Sequence, residues 1–145
     1  MRAEDYPEIQ SWMNSVQGEV DSVDFLTQHA SLAIVLALSD IFWPAFIEVR
    51  NCILRERSYE EQNLDAWFQA TSGDRASIES TLNQLKLWQV IECKETVEDD
   101  AALHRIARVI ANCWRAALKE SFPQEEFDVR LLKTPDGPIV TFSTS

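Results

Sequence analysis

The apolar run over residues 30–38 constrains the fold of this chain more than any other feature, because only Ser31 interrupts it. Asp21 or Ser22 can cap a helix that we expect over about residues 23–38. A helix that is apolar on every side must be surrounded by protein when it is not in lipid. Nine residues are too few to cross a hydrocarbon core, which takes about 20 in a helix. The run therefore predicts the central helix of a protein core.

The length and the cysteines indicate one cytoplasmic domain. The chain has 145 residues, of which 46% are hydrophobic, so one domain over residues 1–145 can bury a core of ordinary size. Cys52, Cys93 and Cys113 are odd in number and lack Cys-x-x-Cys spacing, which favours reduced thiols. The first residues lack the basic and then apolar layout of a secretory signal. We therefore expect a cytoplasmic protein.

Helical periodicity recurs along the rest of the chain. It is clearest over residues 100–121, where apolar side chains repeat at three- and four-residue intervals until Pro123 ends the pattern. Shorter helices are expected over about 7–16, 58–71 and 74–88. Together with the apolar run, this predicts about five helices.

Two segments have the alternation of β-strands. Residues 46–54 are rich in β-branched side chains and are expected to form one strand. Residues 127–144 alternate on both sides of Thr134-Pro135-Asp136-Gly137, which has the composition of a turn and predicts a C-terminal hairpin. Because two strands alone are marginally stable, the strand at 46–54 is expected to pair with this hairpin. The predicted class is α+β, with the helices packed on a small antiparallel sheet.

Residue patterns that support catalysis or cofactor binding are missing from the sequence. His29 and His104 are the two histidines, and neither belongs to a cluster with metal-ligand spacing. The isolated glycines offer no phosphate-binding loop, and there is no Gly-x-Ser-x-Gly motif. We therefore expect a protein that is not an enzyme and holds no metal or cofactor. A catalytic triad assembled from distant positions is the alternative that spacing alone leaves open.

The negative charge of the chain favours a basic protein partner. The formal net charge is −11, and residues 1–50 carry 8 acidic but only 2 basic side chains. Such a field repels nucleic acids and anionic membranes and attracts basic partners, although acidity that only maintains solubility is the competing interpretation. The predicted contact surface consists of Glu60, Glu61, Asp65, Glu92, Glu95, Glu98, Asp99 and Asp100.

A basic stripe and a tryptophan in a predicted turn indicate a second kind of site. Between residues 101 and 119 there is no acidic residue, and four basic side chains share one face of the predicted helix. Trp43 lies between Phe42 and Pro44, and aromatic side chains in loops often anchor binding. An intramolecular role for the stripe, and a core role for Trp43, are the alternatives. The predicted anion or ligand site consists of Trp43, Arg105, Arg108, Arg115 and Lys119.

Several short motifs resemble those of a small bacterial protein family without an established activity. The resemblance implies a bacterial cytosolic α+β protein and transfers no site, since its motifs are packing residues. They are Leu36-Ala37-Leu38, Phe42-Trp43-Pro44, Phe46-Ile47-Glu48-Val49, Glu79 with Asn83, and Val140-Thr141-Phe142.

Three functions compete at this level. The first is a non-enzymatic protein-binding module, such as an immunity or antitoxin-like inhibitor of a basic partner. The second is a protein that binds a small molecule or anion, including a divergent enzyme, through Trp43 and the basic stripe. The third is a self-associating adaptor subunit, with a hairpin edge or a helix face as the seam of a homodimer.

Overall fold

Seven α-helices and five β-strands make up the chain, and the computed structural model describes all 145 residues. The helices are α1 (Pro7–Ser15), α2 (Ser22–His29), α3 (Leu32–Phe42), α4 (Glu61–Thr71), α5 (Arg75–Leu82), α6 (Leu87–Val90) and α7 (Val97–Ser121). The strands are β1 (Phe46–Val49), β2 (Cys52–Arg55), β3 (Leu85–Lys86), β4 (Phe127–Thr134) and β5 (Gly137–Thr144). Short 3-10 helices occupy Ala3–Asp5 and Glu56–Ser58. The predicted α+β class is confirmed.

Helix α7 is the centre of the core. Its apolar face packs on β4 and β5, and Trp114 on that face is fully buried against Phe142 of β5. The helix begins a turn earlier than the predicted residue 100, because the Thr96 hydroxyl accepts the N–H of Asp99 and caps it. The prediction of a long amphipathic helix here is confirmed.

The C-terminal hairpin is also confirmed. Strands β4 and β5 pair antiparallel from Phe127 opposite Thr144 to Thr134 opposite Gly137. Strand β3 joins the other side of β5, which gives a three-stranded sheet in the order β3-β5-β4. Seven of the eight residues of β5 are buried, as expected for a central strand that carries helices.

The segment at 46–54 is not one strand, and it does not pair with the C-terminal hairpin. It forms its own hairpin of β1 and β2, joined by Arg50 and Asn51. Both connecting residues have positive φ, 51° and 66°, which is the backbone of a two-residue hairpin turn with the twist of the strands. Asn51 was the available signal, since asparagine is depleted in strands and tolerates the left-handed region.

Two side chains, Glu79 in α5 and Asn83 directly after it, join the two sheets, and the Asn83 amide reaches the second sheet by donating to the carbonyl of Phe142 in β5 at 3.4 Å. The buried carboxylate of Glu79 accepts the N–H of Ile53 in β2 at 2.7 Å and the N–H of Thr144 in β5 at 2.9 Å. Asn83 accepts the N–H of Arg55 at 2.9 Å and donates to the carbonyl of Ile53 at 3.0 Å. The helix that was predicted over residues 74–88 is shorter in the structure, where only α5 is formed in its first part. The later residues of the predicted helix belong to β3 and α6.

The predicted helix over residues 23–38 is interrupted. Ala30 and Ser31 are extended and separate α2 from α3, and the Ser31 hydroxyl caps α3 by accepting the N–H of Ile34 at 3.2 Å. Because Ser31 satisfies a free N–H group at the start of a new helix, it ends the continuous pattern that the sequence suggested. No helix in this fold combines the length and apolar character that crossing a bilayer requires.

Candidate protein-interaction surface

Helix α3 lies on the outside of the molecule, contrary to the predicted central helix. All ten residues from Ser31 to Asp40 are exposed. Leu32 keeps 84% of its surface exposed and Leu36 keeps 66%. The core has formed around α7, whose 25 residues present a longer continuous apolar face than the 11 of α3. The most apolar helix of the chain therefore has no cover over most of its length.

The segment that carries α3 is fastened to the rest of the fold at its two ends. At one end the Tyr6 hydroxyl donates to the Asp99 carboxylate at 2.7 Å, and Arg105 donates to the carbonyl of Met1 at 2.9 Å. At the other end the indole N–H of Trp114 donates to the carbonyl of Ile41 at 2.9 Å. We call residues 7–40 the arm, because they leave the core at one anchor and return at the other.

Within the arm, α1 and α2 hold each other through aromatic contacts. Trp12 meets Phe25 edge-on at 5.6 Å between ring centroids, and His29 stacks on Phe25 at 4.0 Å. Even so, α1, α2 and α3 contain no buried residue. The aromatic contacts fix the shape of the first part of the arm, but they leave α3 uncovered.

The total accessible surface reflects this uncovered arm. The chain exposes 9425 Å². A compact monomer of 16.6 kDa is expected to expose about 7,600 Å² from the scaling of surface with mass. The chain as a whole therefore exposes about 1,800 Å² more than a compact monomer of its mass, counting polar and apolar surface together. The fold therefore exposes a surface suited to a further contact.

The chemistry of the arm suits protein better than lipid. There is no lysine or arginine between Arg2 and Arg50, and residues 32–38 carry no charge. Helices that lie on anionic membranes have a polar face rich in lysine and arginine, which this arm lacks.

The predicted acidic contact residues lie in two separate patches. Glu60, Glu61 and Asp65 are exposed at the start of α4, which packs on α5, and Asp65 pairs with Arg50 of the β1–β2 turn. Glu92, Glu95, Glu98 and Asp100 are exposed around the start of α7. The structure does not bring the two groups onto one element.

Asp99 differs from its acidic neighbours because it is buried and bonded internally. The N–H of Lys94 and the hydroxyl of Tyr6 donate to its carboxylate and lower its pKa. The same bond to Asp99 is the main reason why the pKa of Tyr6 is raised to about 12. Its neighbours Glu92 and Glu98 line a polar depression of about 610 Å³ together with Glu8. This depression is the more concave of the acidic features.

The members of the predicted anion site are dispersed. Arg105 and Arg108 border two different cavities, and Trp43, which is 47% exposed, lines neither of them. Arg115 donates to Asn112 and to the carbonyl of Val129, while Lys119 is exposed on the next turn. None of the four basic side chains forms an ion pair, so the stripe is not neutralised within the chain.

An apolar cavity of about 410 Å³ lies at the base of the arm. Phe42 at the end of α3 and Val109 on α7 both line it, so the cavity adjoins the end of the uncovered helix. Further lining side chains are Tyr6, Ile9, Leu103 and Ile106. Apolar surface therefore extends from α3 onto α7.

The possible metal ligands and the cysteines are the remaining groups with characteristic chemistry. No group of three or more His, Cys, Asp or Glu side chains is placed to hold a metal ion. Burial raises the pKa of the Cys52 thiol, which favours its unreactive protonated form, and Cys93 is exposed.

The chain matches no protein-family model, no curated protein and no solved structure. The resemblance to a small bacterial family therefore stays a prediction. The arm itself was missed by sequence reasoning, because an all-apolar helix was assigned to the core. Ser31 was the one signal, since a capping residue inside the run divides it into shorter pieces.

Proposed function

We propose that this chain is a non-enzymatic protein-binding module and that the exposed part of α3 is its principal contact surface. The observation that carries the proposal is the exposure of every residue of an uncharged apolar helical segment, from Leu32, which is 84% exposed, to Leu38, which is 39% exposed. At about 25 cal/mol per Å², apolar surface of this kind is a strong driving force for association. Contiguous apolar patches of this size usually mark an interface.

Co-purification with matched variants tests this proposal. Leu36→Glu places a charge at the middle of α3, where it costs little in the free chain because the position is 66% exposed. Val97→Glu is the control, because Val97 is 83% exposed on α7 and lies outside the arm. We expect tagged wild-type chain and Val97→Glu to recover a protein at fixed stoichiometry from the native host, and Leu36→Glu to lose it.

A differently tagged copy of the chain counts as such a partner. Two outcomes would contradict the proposal that α3 is the contact surface. One is that all three tagged chains recover the same protein, and the other is that the wild-type chain recovers none.

A basic partner is the second candidate, in the form of an immunity or antitoxin-like inhibitor. It is supported by the depression that Glu8, Glu92 and Glu98 line in a chain of net charge −11. Concave acidic surfaces concentrate field lines and speed the capture of positively charged proteins. Lys94 also lines this depression, and among the exposed acids of α4 Asp65 pairs with Arg50.

Charge reversal in the two acidic patches separates their roles. For a basic protein recovered from the host, we expect Glu92→Lys with Glu98→Lys to lower the association rate constant about tenfold or more at low salt. Glu60→Lys with Glu61→Lys changes the net charge equally and serves as the control. Equal effects of the two pairs would indicate that only total charge matters, and no effect of either would exclude this surface.

A further inference from the structure

We propose that the occupant of the arm's apolar surface is a second copy of this chain, so that two α3 helices pack against each other across a two-fold axis. This inference rests on the proposed protein-binding function and names its partner. The residues that meet at the axis belong to the uncharged segment from Leu32 to Leu38, and the same arm also exposes Val23 and Leu26 of α2.

The amount of uncovered surface matches what a permanent dimer needs. The excess over a compact monomer is about 1,800 Å² for each chain. Covering the whole of this excess in both copies would bury at most about 3,600 Å², and a dimer that covers most of it falls within the range of about 2,000–5,000 Å² that obligate homodimers bury. Transient complexes bury less, about 1,200–2,000 Å² in total.

The distribution of exposure also favours a permanent partner. Every residue from Leu32 to Leu38 in α3 is exposed, and the large apolar side chains among them keep between 39% and 84% of their surface exposed, so one flat contact would leave part of the helix in water. A second arm can cover α3 on more than one side, since each arm offers both α2 and α3. The apolar surface of α3 must be covered as soon as the chain folds, and a second copy of the same chain is available at that time.

Charge does not oppose the pairing of two acidic copies at this place. A two-fold axis brings the same residues of the two chains together, and like charges there would repel. Residues 32–38 carry no charge, and Asp40 lies beyond them at the end of α3. The negative charge of each copy can therefore remain at a distance from the axis, where salt screens it.

The mass of the purified full-length chain in solution is the direct test. Light scattering at micromolar concentration is expected to give twice the 16.6 kDa of one chain. A mass of 16.6 kDa over the whole concentration range would overturn the inference. If a different host protein is still recovered through α3, the proposed function survives that result, whereas recovery of nothing would remove both.

Two arm variants and one matched control locate the interface. Leu32 begins α3 and is 84% exposed, and Val97 begins α7 and is 83% exposed, so Glu at either site is a comparably exposed first residue of a helix in the free chain. Leu32→Glu and Leu36→Glu are expected to raise the dimer dissociation constant about 100-fold or more, because each would bury an unpaired charge. Val97→Glu is expected to leave it unchanged, and equal behaviour of all three would place the interface elsewhere.

A measurement on the unaltered chain keeps the inference testable if a variant does not fold. The midpoint of thermal unfolding of a homodimer rises with protein concentration, because mass action favours the associated state. We expect this rise for the wild-type chain between about 1 and 100 μM. A midpoint that is independent of concentration would contradict a dimer that exchanges with monomer during unfolding.

Discussion

Glu79 in α5 and Asn83 at the C-terminal end of that helix lie one turn apart and bind backbone groups of both sheets. Glu79 accepts three hydrogen bonds, from the N–H of Ile53 and from the N–H and hydroxyl of Thr144. Arg75 lies 3.5 Å from the same carboxylate and balances its charge. The side chains of Glu79 and Asn83 form hydrogen bonds with backbone N–H and C=O groups at the strand edges, which would otherwise have no partner inside the protein. They thus take the place of direct backbone hydrogen bonds between β2 and β5.

Replacing Glu79 with alanine is expected to lower the free energy of unfolding by about 3 kcal/mol, because the buried N–H of Ile53 and the partly buried N–H of Thr144 lose their acceptor. Glu48→Ala is the control, since Glu48 lies on the exposed side of β1 and should change stability by less than about 0.5 kcal/mol. Urea unfolding of both variants at one protein concentration measures the difference. Comparable losses would show that Glu79 does not join the sheets.

The bond between Tyr6 and Asp99 predicts a dependence of stability on pH. The pKa of Asp99 is lowered in the folded chain, mainly by the N–H of Lys94 and then by the Tyr6 hydroxyl. Its ionised form therefore stabilises the fold above its unfolded pKa of about 4, and this contribution is lost as the pH falls through the lowered value. The N-terminal anchor of the arm should loosen under the same conditions.

We expect Asp99→Asn to be less stable than the wild type at pH 7, with the difference shrinking as the pH falls below about 4. Thermal unfolding across this pH range measures it. Glu98→Gln removes an exposed neighbouring charge and should show no such convergence. A difference that stays constant from pH 7 to the acid limit would rule out the carboxylate as its source.

At the scale of the elements, the turn of the C-terminal hairpin fixes the position of α6. Gly137 has φ of 141°, and a Cβ atom there would lie 2.9 Å from the Trp88 ring of α6. The hydroxyl of Thr134 accepts the N–H groups of Asp136 and Gly137 and closes the turn. The absence of a side chain at Gly137 thus allows α6 to rest on the end of the sheet.

Gly137→Ala is expected to lower the free energy of unfolding by about 2 kcal/mol, from backbone strain together with the contact with Trp88. Gly18→Ala isolates the contribution of backbone strain, because Gly18 has φ of 99° and no atom lies within 4 Å of an added Cβ. The control should lose only about 1 kcal/mol. Denaturant unfolding compares the two variants, and equal losses would mean that Trp88 moves aside freely.

At the scale of the whole molecule, the net charge of −11 opposes compaction. Raising the salt concentration from about 0.01 to 0.1 M shortens the screening length from about 30 to 10 Å. We therefore expect the midpoint of thermal unfolding at pH 7 to rise over this range. Near the sequence pI of 4.5 the rise should largely disappear, and an equal rise at both pH values would assign it to causes other than self-repulsion.

The sequence by itself determined the α+β class, the long helix α7 and the C-terminal hairpin. Each of these rests on a local signal: a 3.6-residue apolar period, a cap, or alternation around a turn residue such as Gly137. A local pattern also marked the acidic segments, although it could not show that Asp99 is internal. These signals act within one element and do not depend on what packs against it.

Only the tertiary structure decided which apolar surfaces are covered. The run in α3 had the composition of a core helix, but α7 packs on the sheet and occupies the core, so α3 remains outside. The separate β1–β2 hairpin and its connection to β5 through Glu79 depend in the same way on contacts between distant residues. Composition indicates how much apolar surface must be buried, but it does not indicate which surfaces bury it. The helix that the sequence predicted to lie in the core is therefore exposed, and we propose it as a contact surface.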